Sequence, residues 1–148
     1  MGSAGFTVTG IKEIDRNLKK LSSTLARKTL KQGATAAAHH MRDAVKAEAK
    51  ALGVVDSGRM WKKITVRANP GEFARGKGRR GIVSRYVIHG TRKALGIPSD
   101  ASGFYPFAQE FGSTVRGIKA RPFMRRAFKK NERTARQIMV DKIKGLLR

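Results

Sequence analysis

The stretch nearest to a reactive motif is Gly71-Glu72-Phe73-Ala74-Arg75-Gly76-Lys77-Gly78. Its first seven positions fit a phosphate-binding loop, in which backbone N–H groups cradle phosphates and the lysine reaches them. The eighth position must be Ser or Thr, because that hydroxyl binds the magnesium ion. Here it is Gly78. The motif also belongs between a strand and a helix, whereas these residues read as a link between two strands. What remains is a flexible basic loop, and nucleotide hydrolysis is not expected.

The other reactive side chains form no better constellation. His39 and His40 are adjacent, so on a helix their side chains point about 100° apart and share a metal poorly. His89 lies in another segment. The ten carboxylates are scattered, with Glu13 and Asp15 the close pair, and no serine sits in a Gly-x-Ser-x-Gly elbow. There is no cysteine, which excludes disulfides, thiolate metal sites and a thiol nucleophile. The sequence therefore predicts a chain that is not an enzyme, with no cofactor and no metal.

Charge is the chain's strongest compositional signal: 33 Lys and Arg against 10 Asp and Glu give +23. Residues 1–58 hold ten basic against five acidic side chains, residues 59–93 eleven against one, and residues 115–148 twelve against two. Such an excess points to phosphates or acidic protein partners, because it repels itself in any assembly of like copies. Arg75, Lys77, Arg79 and Arg80 are the candidate contacts to DNA or to an acidic partner. Sequence-specific readout is not supported by any helix-turn-helix, finger spacing or stacking platform. No apolar run approaches the roughly 20 residues of a membrane span, and the N-terminus lacks a signal-peptide layout, so a soluble protein made in a cytoplasm, without membrane attachment, is expected.

These residues must be positioned by a chain of one-domain length, 1–148. Phe6 to Gly10 reads as a short β-like opening. Ile11 to Ser22 reads as an amphipathic helix, with Ile11, Ile14, Leu18 and Leu21 three and four apart. Ser22-Ser23-Thr24 supplies the cap for a second helix over Thr24 to Leu52. Its stripe of Leu30, Ala34, Ala37, Met41, Val45, Ala49 and Leu52 is small enough to admit a close partner helix. Gly33 weakens it by about 1 kcal/mol relative to alanine, and Gly53 is its expected stop. Val54 to Gly58 reads as a turn. Lys63 to Ala68 alternates as a strand, with Ile64, Val66 and Ala68 inward, and Ile82 to Ile88 is its hairpin partner. Residues 69–81 and 90–103 read as mobile loops. A last helix runs from Pro122 to about Leu147. Met124, Phe128, Ala135, Ile138 and Leu146 mark its apolar face, which Phe123, Ala127, Met139 and Ile143 widen.

The aromatic stretch from Tyr105 to Phe128 admits two readings. Phe107 and Phe111 share one face of a helical turn, with Glu110 near the other side and free to reach an arginine. As plain core, each phenylalanine such as Phe107 or Phe128 would contribute roughly 1.5–3 kcal/mol. As a contact surface, the same segment would meet another subunit, with Glu110 and Arg121 in an ion pair or a subunit contact.

Three pieces together resemble the tail-component family of long-tailed bacteriophages, the head–tail joining or tail-completion proteins of the neck. Val55-Asp56-Ser57-Gly58-Arg59-Met60 resembles that family's Pro-Val-Asp-Thr-Gly-x-Leu turn. Tyr105-Pro106-Phe107-Ala108-Gln109-Glu110-Phe111-Gly112-Ser113 resembles its Tyr-Ala-x-x-Val-Glu-Phe-Gly-Thr segment. Ala120 to Phe128, through Arg121-Pro122-Phe123, is similar to its Pro-Phe-Leu-Arg-Pro-Ala opening of the final helix. Val54, Ser57, Ser113 and Arg126 depart from the pattern. The resemblance implies an α+β fold, with a small antiparallel sheet packed against a long N-terminal and a long C-terminal helix. It further implies a virion structural protein that forms a sixfold ring at the neck, completes the tail and joins it to the head connector. Its partners would be its own copies, neighbouring neck, tail-tube or connector proteins, and the DNA in the channel. The residues taken as subunit or partner interface are Phe107, Glu110, Phe111, Gly112, Arg121, Pro122 and Phe123. A non-specific basic nucleic-acid-binding protein is the alternative.

Overall fold

The computed structural model describes residues 10–54, 59–68, 85–88 and 105–147. Over these the chain is mostly helical. Its helices are α1 (Ile11–Lys19), α2 (Ser23–Ala51), α3 (Arg59–Lys63), α4 (Tyr105–Phe111) and α5 (Phe123–Leu146). Two four-residue strands, β1 (Thr65–Ala68) and β2 (Arg85–Ile88), are hydrogen-bonded neighbours. Among the described residues this pair is all that stands where the sequence predicts a small antiparallel sheet. Lys63 ends the short helix α3 instead of opening a strand, and Ala68 is exposed rather than inward. The Phe6–Thr9 opening, the Val55–Gly58 turn, His89 and the loops over 69–81 and 90–103 lie outside the described residues.

The chain packs as two compact units. One takes α1, α2 as far as His39, and α5 from Glu132. Its core is Ile14, Val140 and Ile143, with Leu18, Leu30, Met139 and Leu147 packed against them. Gly33 decides how closely α2 meets α5 here. A Cβ at this position would lie 2.5 Å from Ile143 Cγ1 and 3.1 Å from the Met139 carbonyl oxygen. The glycine that weakens the helix by propensity is thus the one that lets the neighbouring helix approach.

The other unit takes α2 from His40, α3, most of β1, α4, and α5 as far as Asn131. Its core is Val45, Ala49, Val54, Ile64, Phe123 and Ala127. The end of α2 contributes to this core through its stop. Gly53 takes a positive φ of 64° and donates to the Lys50 carbonyl, while the Val54 N–H donates to the Ala49 carbonyl at 2.9 Å. This is the six-to-one and five-to-two pattern that satisfies the last carbonyls of a helix. It also swings Val54 fully inside, against Ala49.

The buried face of α5 differs from the sequence expectation. Phe123, Ala127, Ala135, Val140 and Ile143 are buried, whereas Phe128 is 55% exposed and Leu146 is exposed as well. The two rows lie side by side on one broad apolar sector of the helix and share Ala135, so periodicity alone does not choose between them. The row carrying Ala127 wins because a methyl side chain lets Ala49 and Val45 of α2 pack into the same cluster.

Candidate assembly surface

The start of α5 lacks a local cap. Pro122 occupies the N-cap, since its carbonyl accepts the first intrahelical bond from Arg126 N–H at 3.1 Å. Its ring offers no side-chain acceptor for the orphan N–H groups of the first turn. Glu110, on α4, supplies them. Its Oε2 accepts from Met124 N–H at 2.9 Å and its Oε1 from Arg125 N–H at 3.1 Å. A carboxylate in this place also complements the positive end of the helix. Glu110 is only 4% exposed.

Arg125 then closes over the joint. Its Nε donates to Glu110 Oε1 at 3.0 Å and its Nη2 to the Glu110 carbonyl at 3.0 Å. Its guanidinium lies 4.9 Å from the centre of the Phe111 ring, a cation–π distance. The Phe111 ring in turn sits 4.6 Å from Phe107, tilted by 39°. This pair is the exposed end of the arrangement: Phe107 is 57% and Phe111 54% exposed.

Two further ties fix the link between α4 and α5. Arg121 N–H donates to the Gln109 carbonyl at 2.6 Å, and Arg121 Nη1 to the Gly53 carbonyl at 3.0 Å. Gly112 leaves α4 with a φ of +82°, and a Cβ there would lie 3.1 Å from the Ile118 carbonyl oxygen. Glycine is thus required both by conformation and by close approach. Beyond it, Ser113 and Ile118 exchange N–H···O bonds of 2.8 and 2.9 Å, closing a tight hairpin whose tip carries Val115.

The residues singled out from sequence therefore divide by role. Phe107 and Phe111 lie together at the surface, and the core reading of Phe107 and Phe128 does not hold. Phe123 is fully buried and Glu110 nearly so, so both hold the segment in place without presenting a surface. Glu110 pairs with Arg125 and not with Arg121, whose partner is a backbone carbonyl. Pro122 and Gly112 set the backbone. Arg75, Lys77, Arg79 and Arg80 lie outside the described residues. Sequence reasoning missed Arg125 as the partner of Glu110 and missed Val115 as a surface feature. A helix opening on Arg-Pro-Phe, with no Ser, Thr, Asp or Asn at its cap, was the available signal that a remote acceptor must exist.

Among the described residues no cluster of three or more His, Asp or Glu is placed to hold a metal ion, and no helix is long and apolar enough to cross a membrane. A family model described as "Bacteriophage HK97-gp10, putative tail-component" matches residues 12–112, from α1 to the end of α4. No curated protein and no solved structure matches the chain.

Proposed function

The chain belongs to the HK97-gp10-like family of bacteriophage tail components, and from that premise we propose that it is a structural protein of the neck. In this reading its copies form a ring, sixfold in number, that completes the tail and joins it to the head connector. No reaction is involved; the work is surface complementarity. The observation that carries the reading is the Phe107–Phe111 pair, two large apolar rings exposed on a segment that is otherwise rigidly tied. Glu110 and Arg125 hold that face against α5, and Arg121 holds it against the end of α2. Exposed aromatics backed by a satisfied polar lock have the make-up of a contact surface, because aromatic side chains and arginine are what interface centres favour.

Neighbouring neck, tail-tube or connector proteins are the proposed partners of this face. Arg75, Lys77, Arg79 and Arg80 are proposed to meet acidic neighbours or the DNA in the channel. The decisive experiment deletes the chain from the phage. Filled heads and separate tails, seen by electron microscopy, are the expected outcome. Normal joined particles would sink the proposal. Duplex binding by the purified chain with a steep salt dependence, and no ring, would instead favour a general nucleic-acid binder.

A further inference from the structure

The exposed aromatic face does not end at α4. Arg125, on α5, lies over the Phe111 ring. Phe128 follows Arg125 by three positions, so the two share one face of that helix. Phe107, Phe111 and Phe128, each more than half exposed, thus mark a strip that runs from α4 onto α5 across Arg125. Single apolar residues at a surface are ordinary, but a row of large ones marks a contact site. The charges around this strip are nearly all positive. α4 contributes none, because its one charged residue, Glu110, is buried and engaged by Arg125 and the start of α5. The hairpin contributes Lys119, which lines a shallow depression together with Phe111, and Arg116 near its tip. From α5 come Lys129 and Glu132, four and seven positions after Arg125 and so on its face. Arg136 follows Glu132 one turn later. Arg121 reaches the Gly53 carbonyl instead, and Arg126 and Lys130 turn to Glu48.

We infer that this strip takes an acidic segment of a different protein. Apolar side chains of that segment cover the three rings, and its Asp and Glu meet Lys119, Lys129 and Arg116. The inference rests on the neck reading above and gives the partner of this face a chemistry. A second copy of the chain is the wrong occupant. It carries +23 itself, and most of its described carboxylates are engaged. Glu13, Asp15, Asp43, Glu48 and Glu110 each face a lysine or arginine of their own chain. Duplex DNA would answer the cations, but it would set sugar and phosphate against the rings. Their apolar surface would then gain little from burial. With a protein segment the rings form the centre of the contact and the lysines its rim. Rim charges of this kind govern the rate of encounter and the choice of partner. The contacts between copies that close a ring then lie elsewhere on the chain.

The chain has no cysteine, so one engineered thiol can carry a benzophenone photo-cross-linker at a chosen place. Thr114→Cys puts it beside Phe111, in the depression that Lys119 also lines. The labelled chain is added to an extract of phage lacking it, and the joined particles are irradiated. Mass spectrometry is expected to find links to one other protein, at a peptide with more Asp and Glu than Lys and Arg. Links confined to this chain itself, to DNA, or to a peptide without that excess would overturn the inference. In the same extract, Lys119→Glu combined with Lys129→Glu should raise the concentration needed for half-maximal joining about tenfold. Both side chains are exposed, so the melting temperature should not move. Lys12→Glu combined with Lys142→Glu makes the same change of net charge in the other compact unit and should leave joining unchanged. Equal effects from the two pairs, or none from the first, would overturn the inference and leave the neck reading standing. An extract that joins heads to tails with no chain added would overturn the neck reading, and this inference with it.

Discussion

Removing the carboxylate of Glu110 tests the architecture of the surface more directly than removing its aromatics. Glu110→Ala strips the acceptors from two first-turn N–H groups of α5, at Met124 and Arg125. Hydrogen bonds to a charged acceptor are worth about 1.5–3 kcal/mol each. A charge at a partly buried helix N-terminus contributes up to about 2 kcal/mol. The Arg125 side chain is 61% exposed, so its ionic contact adds about 1 kcal/mol at most. These contributions overlap, because the N–H bonds are themselves the exposed end of the helix dipole. A loss of about 3–5 kcal/mol is therefore expected, below their simple sum. Glu110→Gln keeps the shape but only one accepting oxygen, and should cost about half as much. Arg125→Ala should cost about 1 kcal/mol, since water replaces its exposed contacts. Trp61, the chain's one tryptophan, lies on α3 under the Lys46 ammonium and reports unfolding of the same unit by fluorescence in urea. If Arg125→Ala proved as damaging as Glu110→Ala, the ion pair rather than the remote cap would be what holds α5, and the reasoning would fail.

Three other substitutions separate packing from surface. Gly33→Ala gains about 1 kcal/mol of helix propensity but places a Cβ 2.5 Å from Ile143 Cγ1. The clash should win by about 1–3 kcal/mol, and a raised melting temperature would refute the close approach. Gly112→Ala should cost about 1–2 kcal/mol, because φ is +82° there and the new carbon crowds the Ile118 carbonyl. Amide exchange across Ser113 and Ile118 should quicken, and unchanged protection would contradict that. Phe107→Ala should shift monomer stability by less than about 1 kcal/mol, given its exposure, while sharply reducing the yield of joined particles. A loss on the scale of a core phenylalanine, about 3–5 kcal/mol, would return the ring to the interior.

Much of the helical layout is legible in the sequence because its signals are local. Ser22 caps α2 as expected, its Oγ accepting from Leu25 N–H, and Gly53 ends that helix within one residue of the predicted stop. The alanine stripe foretells a close helix partner, whereas Gly33 reads in the sequence only as a weak point and its part in the close approach comes from the packing. What the sequence does not show is anything that depends on which of two equivalent rows turns inward. The apolar residues of α5 satisfy two stripes, and only contact with α2 selects the row of Phe123 and Ala127. The same holds for Glu110. Its position on α4 is readable, yet its partners lie fourteen and fifteen residues away, across a hairpin whose path no periodicity encodes. Val115 passed unnoticed because a single valine in a turn carries no pattern at all.

In so basic a chain a carboxylate is scarce, and where the scarce ones sit is informative. Two of them act on the same helix. Glu110 reaches the first turn of α5 from α4, and Glu48 on α2 meets Arg126 and Lys130 further along. Both are largely removed from water, with side-chain exposures of 6% and 13%, so each exerts its field where solvent screens it least. Together they engage Arg125, Arg126 and Lys130, while Lys129 remains exposed between them. The consequence is geometric as well as energetic. The start of α5 is fixed from two sides, and the aromatic face on α4 is fixed to the start of α5. A surface that must match a neighbour benefits from such fixing, because ordering it at the moment of contact would cost side-chain entropy that the contact itself must offset. The excess of positive charge is then left to the exposed side chains, where it can steer acidic neighbours without disturbing the packing that aims Phe107 and Phe111.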